Sequence, residues 1–173
     1  MTTRQSPNRT DMITLRPACE TQPVVTLQAM TPESAAILSQ HFAVMDPWLR
    51  YAMEAPALAA YLTRPEQSAP RFEIHVGGTL AGAAGIRENW LRGSYLQFLG
   101  LLPAFQRQGL GELVLAWFEG AARARSDRNL WVAAAEFNHG ALRFYERHGF
   151  RRAALLEDLV QDGFTEVLFR KKL

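Results

Sequence analysis

The stretch from Leu99 to Ala121 changes its hydrophobic period part-way through, and that change constrains the fold more than any other feature of the chain. Residues 94–102 read as a strand. Beyond Pro103, Leu110, Leu113, Val114, Trp117, Phe118 and Ala121 recur at helical spacing, marking one helix with a single buried stripe. Gln106-Arg107-Gln108-Gly109-Leu110-Gly111 joins the two. A strand that passes through a glycine loop into an amphipathic helix belongs to a sheet covered by helices.

The remaining segments extend that sheet. Residues 24–30 read as a strand, and Thr31-Pro32-Glu33 supplies an N-cap with proline at the first helical position, opening a helix through about Phe42. Asp46-Pro47 ends that helix, and a second spans roughly 55–62. Residues 71–76 and 79–87 flank Gly77-Gly78 as a hairpin, and residues 89–93 make the next turn. Residues 130–135 form a short apolar strand. Asn138 then caps a helix that presents Ala141, Leu142 and Tyr145 on one face and stops at Gly149. A closing hairpin is expected at about 155–160 and 164–171, around Asp162-Gly163. The order specifies an α/β chain with a mixed-direction sheet. Residues 1–22 lack periodicity, apart from a little order expected at 13–15, and read as a flexible tail before a single domain over 23–173.

Composition removes several chemistries. The 173 residues suffice for one core, burying about 68–70% of the unfolded surface. Both lysines, Lys171 and Lys172, lie at the C-terminal end, leaving none for a pyridoxal Schiff base or a P-loop. The four histidines never form HExxH, one cysteine builds no zinc site, and no GxSxG exposes a serine, so neither a metal nor a serine nucleophile is expected. The polar N-terminus and the lack of a long apolar run point to a cytoplasmic protein without a membrane partner. A net charge of +2 without a basic arm argues against nucleic acid.

Gly109 and Gly111 let backbone NH groups crowd a pyrophosphate at a helix N-terminus, although two such glycines also suit a plain tight turn. Asn138-His139-Gly140-Ala141-Leu142-Arg143-Phe144-Tyr145-Glu146-Arg147-His148-Gly149-Phe150 follows. Taken singly, Asn138 is a cap, Tyr145 a core aromatic and Gly149 a stop. Together the two segments resemble the GNAT acetyltransferases, including the RimI-like protein N-acetyltransferases. That family's Q/R-x-x-G-x-G/A matches Gln106 to Gly111, and its N-x-x-A-x-x-x-Y-x-x-x-G-F matches Asn138 to Phe150.

The resemblance implies the GNAT acyl-CoA fold, a mostly antiparallel central sheet flanked by helices, with acetyl-CoA as co-substrate and no metal. Leu99, Gly100 and Leu101 would hold the pantetheine arm through backbone groups where their strand splays from residues 130–135. Gln106, Arg107, Gln108, Gly109, Leu110 and Gly111 would hold the pyrophosphate, and Asn138 would touch the pantetheine. Tyr145 would act as general acid on the departing thiolate, whose conjugate acid has a pKa of about 8.5. The RimI-like pattern places a glutamate five residues before the motif asparagine, where this chain has Ala133. Glu136 and then Glu88 are the alternative bases, each also readable as a solvated charge; His75 and His139 rank below them.

Acceptor contacts are expected from residues 46–51 and 89–93 and from the last hairpin. Asp46 or Glu54 would meet a cationic amine, while Trp48, Tyr51 and Trp90 either line a pocket or cover the core. The resemblance implies direct attack by a primary amine, on a small molecule or a peptide N-terminus, in a ternary complex. The alternative is an acyl-CoA-binding sensor or interaction module of the same fold without turnover. An unpaired edge in the final hairpin offers a surface for a homodimer.

Overall fold

The computed structural model describes residues 12–173. Eight strands form one sheet in the order β1-β2-β3-β4-β5-β6-β8-β7: β1 (Ile13–Arg16), β2 (Val25–Ala29), β3 (Arg71–Val76), β4 (Thr79–Trp90), β5 (Gly93–Leu101), β6 (Asn129–Ala135), β7 (Arg151–Glu157) and β8 (Thr165–Lys172). Every neighbouring pair is antiparallel except β5 and β6. That parallel pair requires a crossover, supplied by α3 (Leu110–Ala124). The sheet is therefore mixed and mostly antiparallel.

Helices α1 (Pro32–Phe42) and α2 (Ala55–Thr63) cover one face, where Leu38, Phe42, Leu58 and Leu62 pack with Ala83 and Phe98. On the other face α3 and α4 (His139–Arg147) bury Leu115, Phe118, Leu142 and Tyr145 against Leu130, Val132, Val167 and Phe169. Thr31 caps α1 by accepting from Ser34 N at 3.2 Å, and Asn138 caps α4 by accepting from Ala141 N at 3.1 Å. The stripe of α3 lies slightly off the expected one: Leu110, Val114, Leu115, Phe118 and Ala122 are buried, while Leu113, Trp117 and Ala121 flank it. The helix packs on the sheet and beside α4, where Gly111 approaches Phe144, and so buries a second row of side chains.

Three expectations change in detail. Of the tail expected over 1–22, residues 1–11 lie outside the described residues. Ile13–Arg16, however, is an edge strand on β2, with Ile13 and Leu15 packed against the core. The turn expected at 89–93 tightens to Leu91-Arg92, both at positive φ, because Trp90 still pairs with Gly93. The closing hairpin begins earlier, at Arg151, because the left-handed stop at Gly149 (φ +84°) turns the chain straight into β7. Among the described residues no helix is long and apolar enough to cross a membrane.

Candidate active site

The sheet opens along the one parallel seam. β5 and β6 pair from Gly93↔Asn129 to Leu96↔Val132. Past that point β5 continues on β4 alone, while Ala133, Ala134 and Ala135 continue on β8 alone. Gln97 marks the divergence, because the β4–β5 register shifts there: Leu96 packs toward α3 whereas Phe98 packs toward α1 and α2. The buried Gln97 Oε1 has no hydrogen-bond partner among the described residues.

Alternation decides which backbone groups face the gap. Leu102 N donates to Ala81 O, and the Gly100 carbonyl lies against Gly82, so residues 100 and 102 are turned to β4. Leu99 and Leu101 then turn their NH and carbonyl groups to the open edge, where Leu101 O accepts from Gln106 Nε2 at 3.0 Å. Gly100 therefore leaves the expected set of backbone ligands. Its lack of a side chain serves packing instead, since a Cβ would meet Phe42 and Trp48 at 2.8 Å.

At the end of β5 the loop reaches α3 through two left-handed residues, Arg107 (φ +60°) and Gly109 (φ +77°). Gln106 binds Leu101 O, and Gln108 Nε2 donates to Ala104 O at 2.7 Å, so both side chains brace the loop rather than extend from it. The backbone NH groups from Arg107 to Glu112 have no partner among the described residues and cluster at the positive end of α3. A Cβ at Gly109 would touch nothing within 4 Å, whereas one at Gly111 would meet Phe144 at 3.0 Å. Gly109 thus keeps the mouth of the loop open, and Gly111 lets α3 approach α4.

Tyr145 projects from α4 into the core beside the seam, 8% exposed, with Phe150 and Phe169 against its ring. Its hydroxyl makes no hydrogen bond to a described residue. Burial, reinforced by neighbouring Tyr95, pushes its pKa well above the ordinary tyrosine value. Tyr95 is itself pushed up to about 12 by burial, with the Glu166 carboxylate adding to the effect.

Glu166 is the group that sequence reasoning missed. It lies on β8 opposite Ala135, is 6% exposed, and accepts a hydrogen bond from Tyr51 Oη. Burial raises its pKa, and the Tyr51 bond partly opposes the rise. Tyr51, Phe137 and Phe164 meet edge to face around it, with ring centroids 5.2–5.6 Å apart. A charged residue at a buried strand position was the one signal that pointed to it.

The other expected residues scatter. Glu136 is exposed, although its NH ties β6 to Thr165 O. Glu88 lies at the far end of the seam, in an ion pair with Arg125 at 3.3 Å, and so is removed from the site. Glu88 stands at the end of β4, which runs away from the open end of the seam. Asp46 pairs with Arg50 at 2.9 Å on the surface, and Glu54 is exposed at the start of α2. Trp48 stacks on Phe98 at 4.9 Å and Trp90 on Tyr95 at 4.7 Å, so both cover the core. His75 is held by Glu73 at 2.7 Å, and His139 is exposed at the start of α4. Of the acceptor group, only Tyr51 joins the site.

The model of the acetyltransferase (GNAT) family matches residues 34–150. No curated protein matches the sequence. Among solved structures, an acetyltransferase of Salmonella typhimurium that modifies the N-terminal serine of a 50S ribosomal subunit protein superposes with a TM-score of 0.73 at 16% identity, over 94% of this chain and 99% of that one. The Escherichia coli ribosomal-protein-S18-alanine N-acetyltransferase gives 0.67 at 19% identity, over 86% and 93%. A GNAT family acetyltransferase of Elizabethkingia anophelis with acetyl-CoA bound gives 0.64 at 16% identity, over 86% and 98%. At these identities the likeness is one of fold.

Proposed function

Since this chain belongs to the GNAT acetyltransferase family, we propose that it transfers the acetyl group of acetyl-CoA to a primary amine, on a small molecule or a peptide N-terminus, by direct attack in a ternary complex. One observation carries the reading: the parting of β5 from β6 ends at a loop whose NH groups from Arg107 to Glu112 have no partner within the described fold. An elongated ligand with amides along its length and phosphates at one end fits that arrangement. Leu99 and Leu101 would offer main-chain groups to the amides, as a strand offers them to an added strand. The buried, unpartnered Gln97 Oε1 is an acceptor at the inner end of the same gap. The loop amides, the N-terminus of α3 and the exposed Arg107 would hold the phosphates.

Bound there, acetyl-CoA supplies an activated acyl carbon. Tyr145 stays protonated across the physiological range, because burial disfavours its anion. Its hydroxyl is thus a permanent donor for the departing sulfur, first as a hydrogen bond and then as a proton. Asn138, whose Oδ1 is committed to capping α4, has its amide nitrogen left to face the pantetheine.

Calorimetric titration of acetyl-CoA into the wild type and Gly109→Asn tests the cradle. Asparagine tolerates the left-handed region, and a Cβ at that position meets no protein atom within 4 Å, so a loss of binding reports on the ligand. We expect the affinity to weaken about tenfold or more, equivalent to about 1.4 kcal/mol. Equal affinity in both proteins would overturn the assignment of the loop.

A further inference from the structure

We propose that Glu166 accepts the proton of the incoming amine, occupying from the neighbouring strand the place left without a carboxylate at Ala133. The inference rests on the acetyltransferase reading above and names the group which that reading lacks.

The sheet register carries it. Ala135 pairs with Glu166 and Ala133 with Leu168, so alternation puts all four side chains on one face. Directly opposed residues stand about 4.5–5.5 Å apart and diagonal ones about 7–8 Å. A glutamate on β8 opposite Ala135 therefore reaches the ground that one at Ala133 on β6 would cover. That face is the one the segment carrying Tyr51 lies on, because Tyr51 Oη donates to the carboxylate. Tyr145 belongs to the opposite face, packed with Val167 and Phe169. The two groups thus flank the parted strands from opposite sides, which keeps the base for the entering nitrogen apart from the acid for the departing sulfur.

The surroundings suit a base rather than a structural ion pair. Among the described residues no cation pairs with Glu166: its neighbours across the ladders are Ala135 and Leu156, and its one hydrogen-bond donor there is the neutral Tyr51. Tyr95 from β5 is close enough for the Glu166 charge to affect its titration. The Arg50 guanidinium lies 4.8 Å over the Phe137 ring, one of the three rings that meet beside Tyr51. A buried carboxylate whose pKa is moved toward neutrality takes a proton more readily than a surface one. The other carboxylates considered are engaged or remote: Glu88 holds Arg125, Glu73 holds His75, and Glu136 faces solvent.

The protons balance. The ammonium gives one proton to Glu166, and the nitrogen lone pair forms the N–C bond as the C–S pair leaves with sulfur. Sulfur takes a proton from Tyr145, the second nitrogen proton returns to Tyr145 through water, and Glu166 releases its own to solvent. The sum is ammonium plus thioester to amide, thiol and one proton.

The test is thiol release from acetyl-CoA with a panel of primary amines across pH, alongside calorimetric binding of acetyl-CoA and circular dichroism. Proteins compared are the wild type, Glu166→Gln, Tyr51→Phe and the double variant Glu166→Gln/Ala133→Glu. We expect Glu166→Gln to stay folded, to bind acetyl-CoA unchanged, to lose about 100-fold in kcat and to lose the acidic limb of kcat/KM. Tyr51→Phe removes a bond that favours the ionised form, so that limb should move to higher pH. The double variant should recover about tenfold of the lost rate, a gain that a merely structural Glu166 would not give. Turnover within about threefold of wild type in Glu166→Gln, or an acidic limb unmoved in Tyr51→Phe, overturns the assignment. A wild type that binds no acetyl-CoA, or that binds it and releases no thiol with any amine, overturns the acetyltransferase reading instead.

Discussion

Two buried glutamates on the same sheet, Glu73 at the start of the chain's core and Glu166 near its end, are 4% and 6% exposed, yet their acidities move in opposite directions. Burial acts on both to favour the neutral form. Around Glu73 it is outweighed: Thr31 donates its NH at 2.8 Å and its hydroxyl at 2.6 Å, and His75 stands at 2.7 Å, so the carboxyl is held below the usual range. Among the described residues Glu166 has one donor, the neutral Tyr51, and burial prevails. Burial therefore does not identify a working carboxylate. The number of donors the fold spends on it does, and a group left short of donors beside a parted pair of strands remains able to take a proton.

The largest expected separation is in turnover. Glu166→Gln should lose about 100-fold in kcat while Glu73→Gln stays within about twofold, as steady-state thiol release would show; similar losses would erase the contrast. Next, Tyr145→Phe should lower kcat by roughly 30-fold with acetyl-CoA affinity retained, separating the proton donor from the cradle. Stability should invert the order. Glu73→Gln gives up charge-assisted bonds at both ends and should cost about 2 kcal/mol at pH 7 by urea unfolding.

The pH dependence sharpens the same contrast. The folded pKa of Glu73 is depressed, so its stabilisation is present above the unfolded value of about 4.3 and fades as pH falls through the folded one. The Glu73→Gln deficit should therefore shrink toward pH 3. The folded pKa of Glu166 is raised, so its contribution is most favourable below about 4.3 and is lost as pH rises through the folded value. Glu166→Gln should accordingly melt a few degrees higher than wild type at pH 8 and no higher at pH 4, by calorimetry. A wild type that melts higher than the variant at pH 8 would place Glu166 with Glu73 as a structural group.

Much of this arrangement was legible in the chain. The Gly77-Gly78 turn, the Thr31 and Asn138 caps, the stop at Gly149 and the stripe of α3 are local signals, and each has its counterpart. β1 was not fully legible, because four residues beside Pro17 become a strand only once β2 offers an edge. The closing hairpin begins at Arg151 rather than at about 155, because the left-handed stop at Gly149 passes the chain straight into β7. The side chains of Gln106 and Gln108 turn back onto the Leu101 and Ala104 carbonyls, contacts that spacing along the chain did not foretell.

What the sequence determined by itself is the set of elements and the two motif segments, because caps, turns and hydrophobic periods act over a few residues. The glycine loop after β5 and Tyr145 on α4 are of that kind. What only the tertiary structure decided is which side chains share a site. Tyr51 and Glu166 stand 115 residues apart and meet because β8 pairs with β6 and the segment after α1 folds over that pair. Register sets which face Glu166 occupies, and desolvation by the rings around it sets its acidity; neither quantity exists until distant strands are side by side.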